Sequence, residues 1–236
     1  MAGSSLPVLW RHPPVDVNRG TKIKEIVAVS YHTLDAYGFH ALEMVQCLTE
    51  RRAGGESGIK QVRTLSGNTV WEAMDNNLFD QTLLKDALKR LKNSPVTRKT
   101  EKSLKELVKS PDLFIIDYLD GLKAYIITLN GAVNEWSVAW KTDKGQTQST
   151  TFWTQEARPY MHFTYLVEGT EKMFHTGRPT WPAERTLITS GLLDALLISK
   201  SKNGKTIRTP HLNFGYSTNW KWKQPPPPPP GRPWNQ

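Results

Sequence analysis

The stretch that decides the fold runs from Gly177 to Tyr216 and reads GRPTWPAERTLITSGLLDALLISKSKNGKTIRTPHLNFGY. Pro182 suits the first position of a helix, where its missing N–H costs nothing, and Glu184 follows in the first turn, where the helix dipole favours a negative charge. Asn203-Gly204 predicts a left-handed exit, and an extended segment follows from Thr206 to Arg208. Apolar residues recur at helical spacing between these ends and predict a buried stripe: Leu187, Ile188, Leu192, Ala195 and Leu196.

Gly191 lies in the middle of this helix, where it costs about 1 kcal/mol relative to Ala. Close packing against another backbone would explain its presence. On its pattern alone, the stretch predicts a buried core helix that feeds an edge strand.

The residue identities in this stretch are more informative than its apolar spacing. Four segments resemble the C-terminal end of the glucose–fructose oxidoreductase / inositol dehydrogenase (Gfo/Idh/MocA) family, in a bacterial branch: MFHTGRP (173–179), PAERTL (182–187), GLLDAL (191–196) and TPHL (209–212). The similarity extends from about Gly3 to Tyr216 and covers the second of the family's two domains. It implies an α+β fold with an open-faced, mainly antiparallel sheet covered by helices, and no Rossmann domain.

The composition is that of a chain with a real core: 236 residues, 38% apolar, with nine Trp. No run of 18 apolar residues occurs, and Met1 to Ser5 lacks the pattern of a signal peptide, so we expect a cytoplasmic protein without membrane contact. Cys47 is alone and lies in a helical pattern. It is interpreted as a buried thiol in preference to a nucleophile.

The net charge of +9 suggests nucleic-acid binding, but its distribution argues against it. Residues 81–110 hold nine Lys/Arg against three Asp/Glu, and residues 220–236 hold three cations and no acid. These two segments carry the whole net charge, which is typical of a solvated helical face and a tail. No nucleic-acid partner is expected.

Three regions are predicted along the chain. Residues 1–20, rich in Pro, form an extended linker from a missing nucleotide-binding domain, and residues 21–217 form the α+β domain. Residues 218–236 form a Pro-rich disordered tail. The alternative for its proline run, 225–230, is binding to an SH3- or WW-like partner. The chain contains no Gly-x-Gly-x-x-Gly and no Glu-Lys-Pro motif, which carries the family's catalytic Lys. We therefore favour a truncated product over a stand-alone domain, and expect NAD or NADP in a full-length relative but negligible cofactor binding by this chain alone.

The element pattern alternates strands and helices before a run of strands. Strands are predicted over 23–31, 59–66 and 69–74, and helices over 36–52, 78–91, 103–109 and 159–175. The last of these helices is expected to pair with the helix after Pro182. Its inward side chains are expected to be Phe163, Leu166, Val167 and Phe174. Four strands from Asp112 to Gln155, joined by turns at Asp120-Gly121, Asn130-Gly131 and 143–145, predict an antiparallel meander. Its packed-face candidates are Ile115, Ile126, Val138 and Phe152.

The candidate chemistry lies in Leu34 to Glu43, LDAYGFHALE, which resembles the family's Asp-x-Gly-x-His segment beside the substrate carbon. His40 keeps its spacing from Gly38, and an imidazole suits the removal of a hydroxyl proton near neutral pH. The family's Asp position is Ala36 here, with Asp35 one residue earlier, a shift that turns a side chain by about 100°. Glu43, three residues after His40, is expected to orient it or pair with it. The alternative is that His40 only packs at the edge of the core.

Further contacts to substrate are assigned to Tyr37, Arg158 and Arg185, although long arginines are more often solvated. No metal site is expected, because no histidine spacing makes one and one Cys cannot help. Two functions follow. The first is the substrate-binding and oligomerisation domain of an NAD(P)-dependent oxidoreductase acting on a sugar, polyol or related hydroxyl compound. The second is a non-catalytic carbohydrate-binding or structural module. A homo-oligomer is expected because Trp136, Trp140, Phe152 and Trp153 would form an uncovered aromatic face.

Overall fold

An eight-stranded sheet crosses the part of the chain that the computed structural model describes, residues 3–98, 102–154 and 161–225. Its strands are β1 (Trp10–His12), β2 (Ile23–Ser30), β3 (Ile59–Ser66), β4 (Asp112–Tyr118), β5 (Lys123–Thr128), β6 (Trp136–Thr142), β7 (Thr147–Trp153) and β8 (Ile207–Arg208). The described helices are α1 (Leu34–Thr49), α2 (Asn68–Asp75), α3 (Gln81–Leu88), α4 (Leu104–Leu107), α5 (Thr164–Thr176) and α6 (Ala183–Ser201). The strand order is β1-β7-β6-β2-β5-β4-β3-β8, and the fold is α+β with a mainly antiparallel sheet, as predicted.

The predicted meander is wrong at its centre. The hairpins β4–β5 and β6–β7 form, but β2 lies between them, parallel to β5 and antiparallel to β6. The reason lies in β2 itself: Ile26 and Ala28 are buried on one face, and Val27 and Val29 on the other. A strand that is apolar on both faces is stable only inside a sheet that is covered on both sides.

The two faces of the sheet carry different helices. The first face packs against α1 and α6 and includes Ile126, Val138 and Phe152, as predicted. Ile115 packs on the second face, with α2, α3 and α4, so its assignment to the first face is wrong. Side chains alternate along a strand, and Phe114 and Ile116 take the places on the first face.

The expected uncovered aromatic face is also wrong. Trp136, Trp140 and Phe152 are each 1% exposed and belong to the core under α1 and α6. Trp153 is partly buried and contacts the Trp10 ring at 5.1 Å between centroids. These aromatic residues therefore stabilise the domain and offer no surface for association.

Residues 69–74, predicted as a strand, form helix α2 instead. Gly67 precedes the helix with a φ of 62°, and the Thr69 hydroxyl donates to the Ser66 carbonyl at 2.8 Å. Val70 and Trp71 are buried from this helix against the second face. The short apolar run fits a strand or a buried helical turn equally well, and tertiary packing decides between them.

Helix α6 forms where the sequence predicts it. Ile188, Leu192, Ala195 and Leu196 are buried, whereas Leu187 is mostly exposed. A Cβ on Gly191 would lie 2.6 Å from Cδ2 of Leu212, so the close approach is made by a side chain and not by a backbone. Asn203 and Gly204 both have positive φ and end the helix before β8 pairs with β3 at the sheet edge.

Helix α5 is formed, but its predicted inward face is wrong. Phe163, Val167 and Phe174 are 57%, 61% and 78% exposed. The helix is attached through Gly169, whose carbonyl accepts from the Thr180 hydroxyl at 2.7 Å, and through Tyr165, which meets Trp10 edge-on. Helical spacing defines an apolar face without specifying what covers it.

Both chain ends that the structure describes pack on the domain. In the expected linker, β1 pairs with β7, and Leu6, Leu9 and Trp10 are buried. In the expected tail, the Trp222 indole N–H donates to the Leu9 carbonyl at 3.0 Å, and the Gln224 amide bonds both backbone groups of Arg11 at 3.2 Å. The packed chain therefore continues past the expected boundary at 217, and residues 226–236, with most of the proline run, lie outside the described residues.

Candidate active site

The candidate site lies at one edge of the sheet, where the parallel strands β2 and β5 both end. Two residues beyond β2, the His32 N–H donates to Oδ1 of Asn130, and the Asn130 amide donates back to the His32 carbonyl at 3.0 Å. Asn130 in turn follows β5. Helix α1 begins at Leu34, directly after this joint, so the Leu34–Glu43 segment starts at the carboxyl edge of the parallel pair.

Aromatic rings cluster around Tyr37 in the first turns of α1. The Tyr37 ring stacks on His32 with centroids 4.6 Å apart and lies parallel to the Trp136 ring at 5.6 Å. Tyr31, at the end of β2, contacts both Tyr37 and Trp136 at 5.3 and 5.0 Å. Tyr37 is half-buried, so part of its ring is accessible to a ligand. Its assignment as a substrate contact stays a prediction.

His40 lies one turn further along α1 and belongs to the same cluster. Its ring meets Tyr37 and Trp136 edge-on at 5.8 and 6.3 Å, and its side chain is half-buried. The role of general base that the sequence assigns to His40 stays a prediction.

Asp35 is fully exposed at the start of α1. A hydrogen bond from the Thr33 side chain, with further bonds from backbone N–H groups of the first turn, lowers its pKa. The carboxylate lies in the first turn of α1, where the helix dipole favours its ionised form. This position accounts for an acid at residue 35, and the catalytic role assigned to it stays a prediction.

Glu43 lies in the interface of α1 with α6. Its carboxylate accepts from the Thr189 hydroxyl at 3.0 Å and from the Ser4 N–H at 3.4 Å, and the side chain is fully buried. Burial raises its pKa, against the opposing charge of Arg185. Thr189 on α6 and Ser4 in the N-terminal segment thus supply the hydrogen bonds to the Glu43 carboxylate, and its expected pairing with His40 stays a prediction.

Arg185 is fully buried and bound to a carboxylate of the protein. Its guanidinium donates to both oxygens of Glu50 at 2.9 and 2.5 Å, and the Tyr216 hydroxyl donates to the same Glu50 at 2.7 Å. Burial opposes its charge, but the charge and hydrogen bonds of Glu50 raise the pKa of Arg185 above its usual range. Its assignment as a substrate ligand is untested, and Arg158 lies outside the described residues.

Cys47 is buried as expected, and burial raises the pKa of its thiol to about 12. Over the described ranges, no three His, Cys, Asp or Glu side chains lie close enough to hold a metal ion. None of the helices in those ranges has the length and apolarity that a membrane span needs.

Sequence reasoning missed three members of this site. His32 has no motif around it, Asn130 was interpreted as part of a hairpin turn, and Trp136 was placed on an uncovered face. A signal for the first two existed in the chain, since each follows an apolar strand by two residues. The parallel pairing that brings them together could not be inferred from local pattern.

No family model matches the chain, and no curated protein matches it. Solved structures do match it in part. GenD2 from gentamicin A biosynthesis, in complex with NAD, is 11% identical with a TM-score of 0.47, over 79% of this chain and 55% of that chain. Scyllo-inositol dehydrogenase from Lactobacillus casei, with bound NAD(H) and scyllo-inositol, is 10% identical with a TM-score of 0.48, over 79% and 56%. A myo-inositol dehydrogenase from Corynebacterium glutamicum is 11% identical with a TM-score of 0.45, over 79% and 56%.

The chain thus spans a little over half the length of the solved dehydrogenases that it matches. No activity follows from a likeness at this level of identity. The structures that the chain matches in part thus include two inositol dehydrogenases and GenD2.

Proposed function

We propose that this chain is the substrate-binding and oligomerisation domain of an NAD(P)-dependent oxidoreductase that acts on a sugar, polyol or related hydroxyl compound. The nicotinamide cofactor would be held by a nucleotide-binding domain, since the chain has no glycine-rich phosphate loop. The chain itself would supply the substrate contacts and the base.

The observation that carries the proposal is the position of His40. It is the half-buried imidazole of an aromatic cluster at the carboxyl edge of the one parallel strand pair in the described sheet. Ligand sites prefer such edges, and they combine aromatic walls with a few polar groups. A neutral imidazole accepts a proton from a hydroxyl group near pH 7, which is the step that alcohol oxidation requires before hydride leaves.

The competing function is a carbohydrate-binding or structural module without catalysis. It is favoured by the placement of the acids: Glu43 is buried in the α1–α6 interface, and Asp35 lies exposed in the first turn of α1. Such a module keeps the half-buried Tyr37 ring for binding, and needs no base. Binding of a polyol is common to both functions, and proton abstraction by His40 separates them.

Self-association is proposed on a different surface from the one first expected. Val167 and Phe174 of α5, with Phe163 directly before the helix, are exposed apolar side chains on one side of it and leave that side partly uncovered. Exposed apolar stripes of this kind promote association between protein chains.

Calorimetric titration of the full chain with myo-inositol, D-glucose and D-sorbitol tests the proposed function. We expect saturable binding of at least one of them, weakened several-fold in His40→Ala and unchanged in the matched control His211→Ala, because His211 is exposed and lies on the turn Pro210–Leu212. Separate titration with NAD(H) and NADP(H) should give no heat of binding. Absence of polyol binding, or equal affinity in His40→Ala, would sink the proposal.

A further inference from the structure

We propose that the exposed side of α5 is the contact surface for a second copy of this chain, and that the two α5 helices pack antiparallel about a twofold axis. The inference rests on the self-association in the proposed function, and it adds the partner, the contacting residues and their order. Binding of a polyol does not depend on it.

The first step is the way in which α5 is attached to the domain. Tyr165 meets Trp10 edge-on with centroids 5.3 Å apart, and the buried Gly169 accepts from the Thr180 hydroxyl at 2.7 Å. These contacts lie on one side of the helix. Because each residue turns the helix by about 100°, the exposed apolar residues lie on the opposite side, which faces away from the domain.

The second step is the spacing along this exposed side. Phe163, Val167 and Phe174 are mostly exposed, and Thr170 lies in the same row. Phe163 precedes the first helical residue but has helical backbone angles, so it continues the row. The intervals of four, three and four residues are those of a seam along which two helices pack. The Thr170 hydroxyl donates to the Leu166 carbonyl at 3.0 Å, so it brings no unsatisfied donor to the seam.

The third step is the symmetry of the row. Its intervals are the same when they are read from either end. An antiparallel copy therefore sets Phe163 opposite Phe174 of the partner subunit, and Val167 opposite Thr170 of the partner subunit. Each contact occurs twice, as a twofold interface requires. Ring then meets ring at both ends of the seam, where aromatic pairs stabilise an interface beyond their buried area.

The fourth step decides between the antiparallel and the parallel order. Leu166 and Met173, both half-buried, flank the seam on one side, and the exposed Glu171 flanks it on the other. In an antiparallel pair, equivalent flanks meet, so Leu166 faces Met173 of the partner subunit. In a parallel pair, opposite flanks meet, and Leu166 would face the carboxylate of Glu171 of the partner subunit. Opposed helix dipoles also favour the antiparallel order.

The fifth step is the placement of charge on α5. Glu168, Glu171, Lys172 and His175 all lie on the flank opposite Leu166. The seam itself is therefore uncharged, as is usual for the core of a protein interface. Glu171 also has a partner in its own helix, since its Oε1 lies 3.8 Å from Nε2 of His175. An antiparallel copy thus meets the row without placing like charges opposite each other.

The size of the row determines the strength of the contact. From Phe163 to Phe174 it is about 16 Å long. One helix pair of this length buries less than the roughly 1,600 Å² of a standard interface. We therefore expect a weak dimer that dissociates on dilution.

The test measures the molar mass of the full chain by sedimentation equilibrium, in a concentration series from micromolar to hundreds of micromolar. We expect an equilibrium between a monomer of 26.8 kDa and a dimer of twice that mass. Phe163→Lys and Phe174→Glu should each weaken dimerisation about tenfold or more, because each places two unpaired charges in the seam. Leu119→Glu, at an exposed apolar residue of the β4–β5 hairpin, is the matched control and should leave the equilibrium unchanged.

Mixing the two phenylalanine variants in equal amounts tests the order of the helices. In an antiparallel heterodimer the introduced lysine faces the introduced glutamate, and the two unchanged phenylalanines face each other. Dimerisation should therefore return in the mixture. In a parallel heterodimer each introduced charge faces a phenylalanine, and the mixture would not recover. Both positions are exposed, so the melting temperatures of the separate variants should equal that of the wild type.

Each outcome has a separate meaning. A full chain that stays monomeric throughout the series overturns this inference and leaves the polyol-binding part of the proposed function standing. A dimer that Phe174→Glu weakens but the mixture does not restore overturns the antiparallel order alone. If the full chain is monomeric while a chain ending at Pro225 dimerises, the proline-rich end of the chain occupies the surface, and a second copy is not its native partner. Absence of polyol binding together with a restored dimer overturns the proposed function and leaves this inference standing.

Discussion

Replacing Arg185 by Met should strongly destabilise the fold, because it breaks an ion pair that lies wholly inside the protein. Arg185 and Glu50 are both without side-chain exposure and share two hydrogen bonds. In Arg185→Met the Tyr216 hydroxyl would be the one hydrogen-bond donor left to the Glu50 carboxylate among the described residues. Removing one partner of a buried pair typically costs about 3–5 kcal/mol, since the remaining charge stays desolvated.

The expected size of the effect is large enough to measure in two ways. For a chain of this length, about 1 kcal/mol shifts the melting temperature by roughly 2–4 °C, so we expect a fall of about 6–20 °C. Urea unfolding should give the same loss of free energy at an unchanged slope. Arg178→Ala, at an exposed arginine between α5 and α6, is the matched control and should stay within about 0.5 kcal/mol of the wild type.

A second substitution identifies the cause. Combining Arg185→Met with Glu50→Leu removes both charges, and buried pairs replaced by apolar residues are often as stable as the original. We therefore expect the double variant to recover much of the stability that the single variant loses. If Arg185→Met costs less than about 1 kcal/mol yet weakens polyol binding, Arg185 acts as a ligand and the reasoning from the buried pair is refuted.

Three further outcomes are expected. A chain ending at residue 217 should melt several degrees lower than one ending at Pro225, because the contacts of Trp222 and Gln224 with the N-terminal segment are lost; equal melting temperatures would contradict this packing. Burial raises the pKa of Glu43, so its contribution to stability is full below the ordinary Glu pKa and declines as the pH rises through the raised value. The unfolding free energy of Glu43→Gln should therefore fall less than that of the wild type between pH 4 and 7, and parallel profiles would argue against it. Phe174→Glu should lower the molar mass measured by light scattering at tens of micromolar without changing the melting temperature; a wild type that is already monomeric would remove the basis for association through α5.

The local sequence pattern was sufficient to predict those features that depend on residues within a single element. The left-handed end of α6, the limits of β3 and the hairpin at Asp120-Gly121 follow from residue spacing and turn chemistry, and each is present in the structure. These features depend on neighbours within a few residues, which a sequence displays directly.

Long-range packing accounts for what sequence reasoning missed. The insertion of β2 between β5 and β6 joins segments about a hundred residues apart, and it changes Asn130 from a turn residue into the partner of His32. The same applies to Glu43, whose helical position was correct but whose partner Thr189 lies on α6. The apolar face of a helix also does not show which part of the protein packs against it, so the inward face of α5 was predicted wrongly.

Helix α1 has some features that the sequence predicts and one that depends on long-range packing. Its position, its Gly38–His40 spacing and the burial of Ala41, Met44 and Leu48 follow the pattern of the sequence. The aromatic cluster around its first turns draws on Trp136 from β6, and only the folded sheet brings that residue to Tyr37.

A crystal structure of the chain with a bound polyol is the most direct test of the account. We expect the ligand beside Tyr37 at the edge where β2 and β5 end, with one hydroxyl oxygen about 2.6–3.2 Å from a ring nitrogen of His40. A polyol bound at another surface, with the His40 cluster unchanged, would contradict the account.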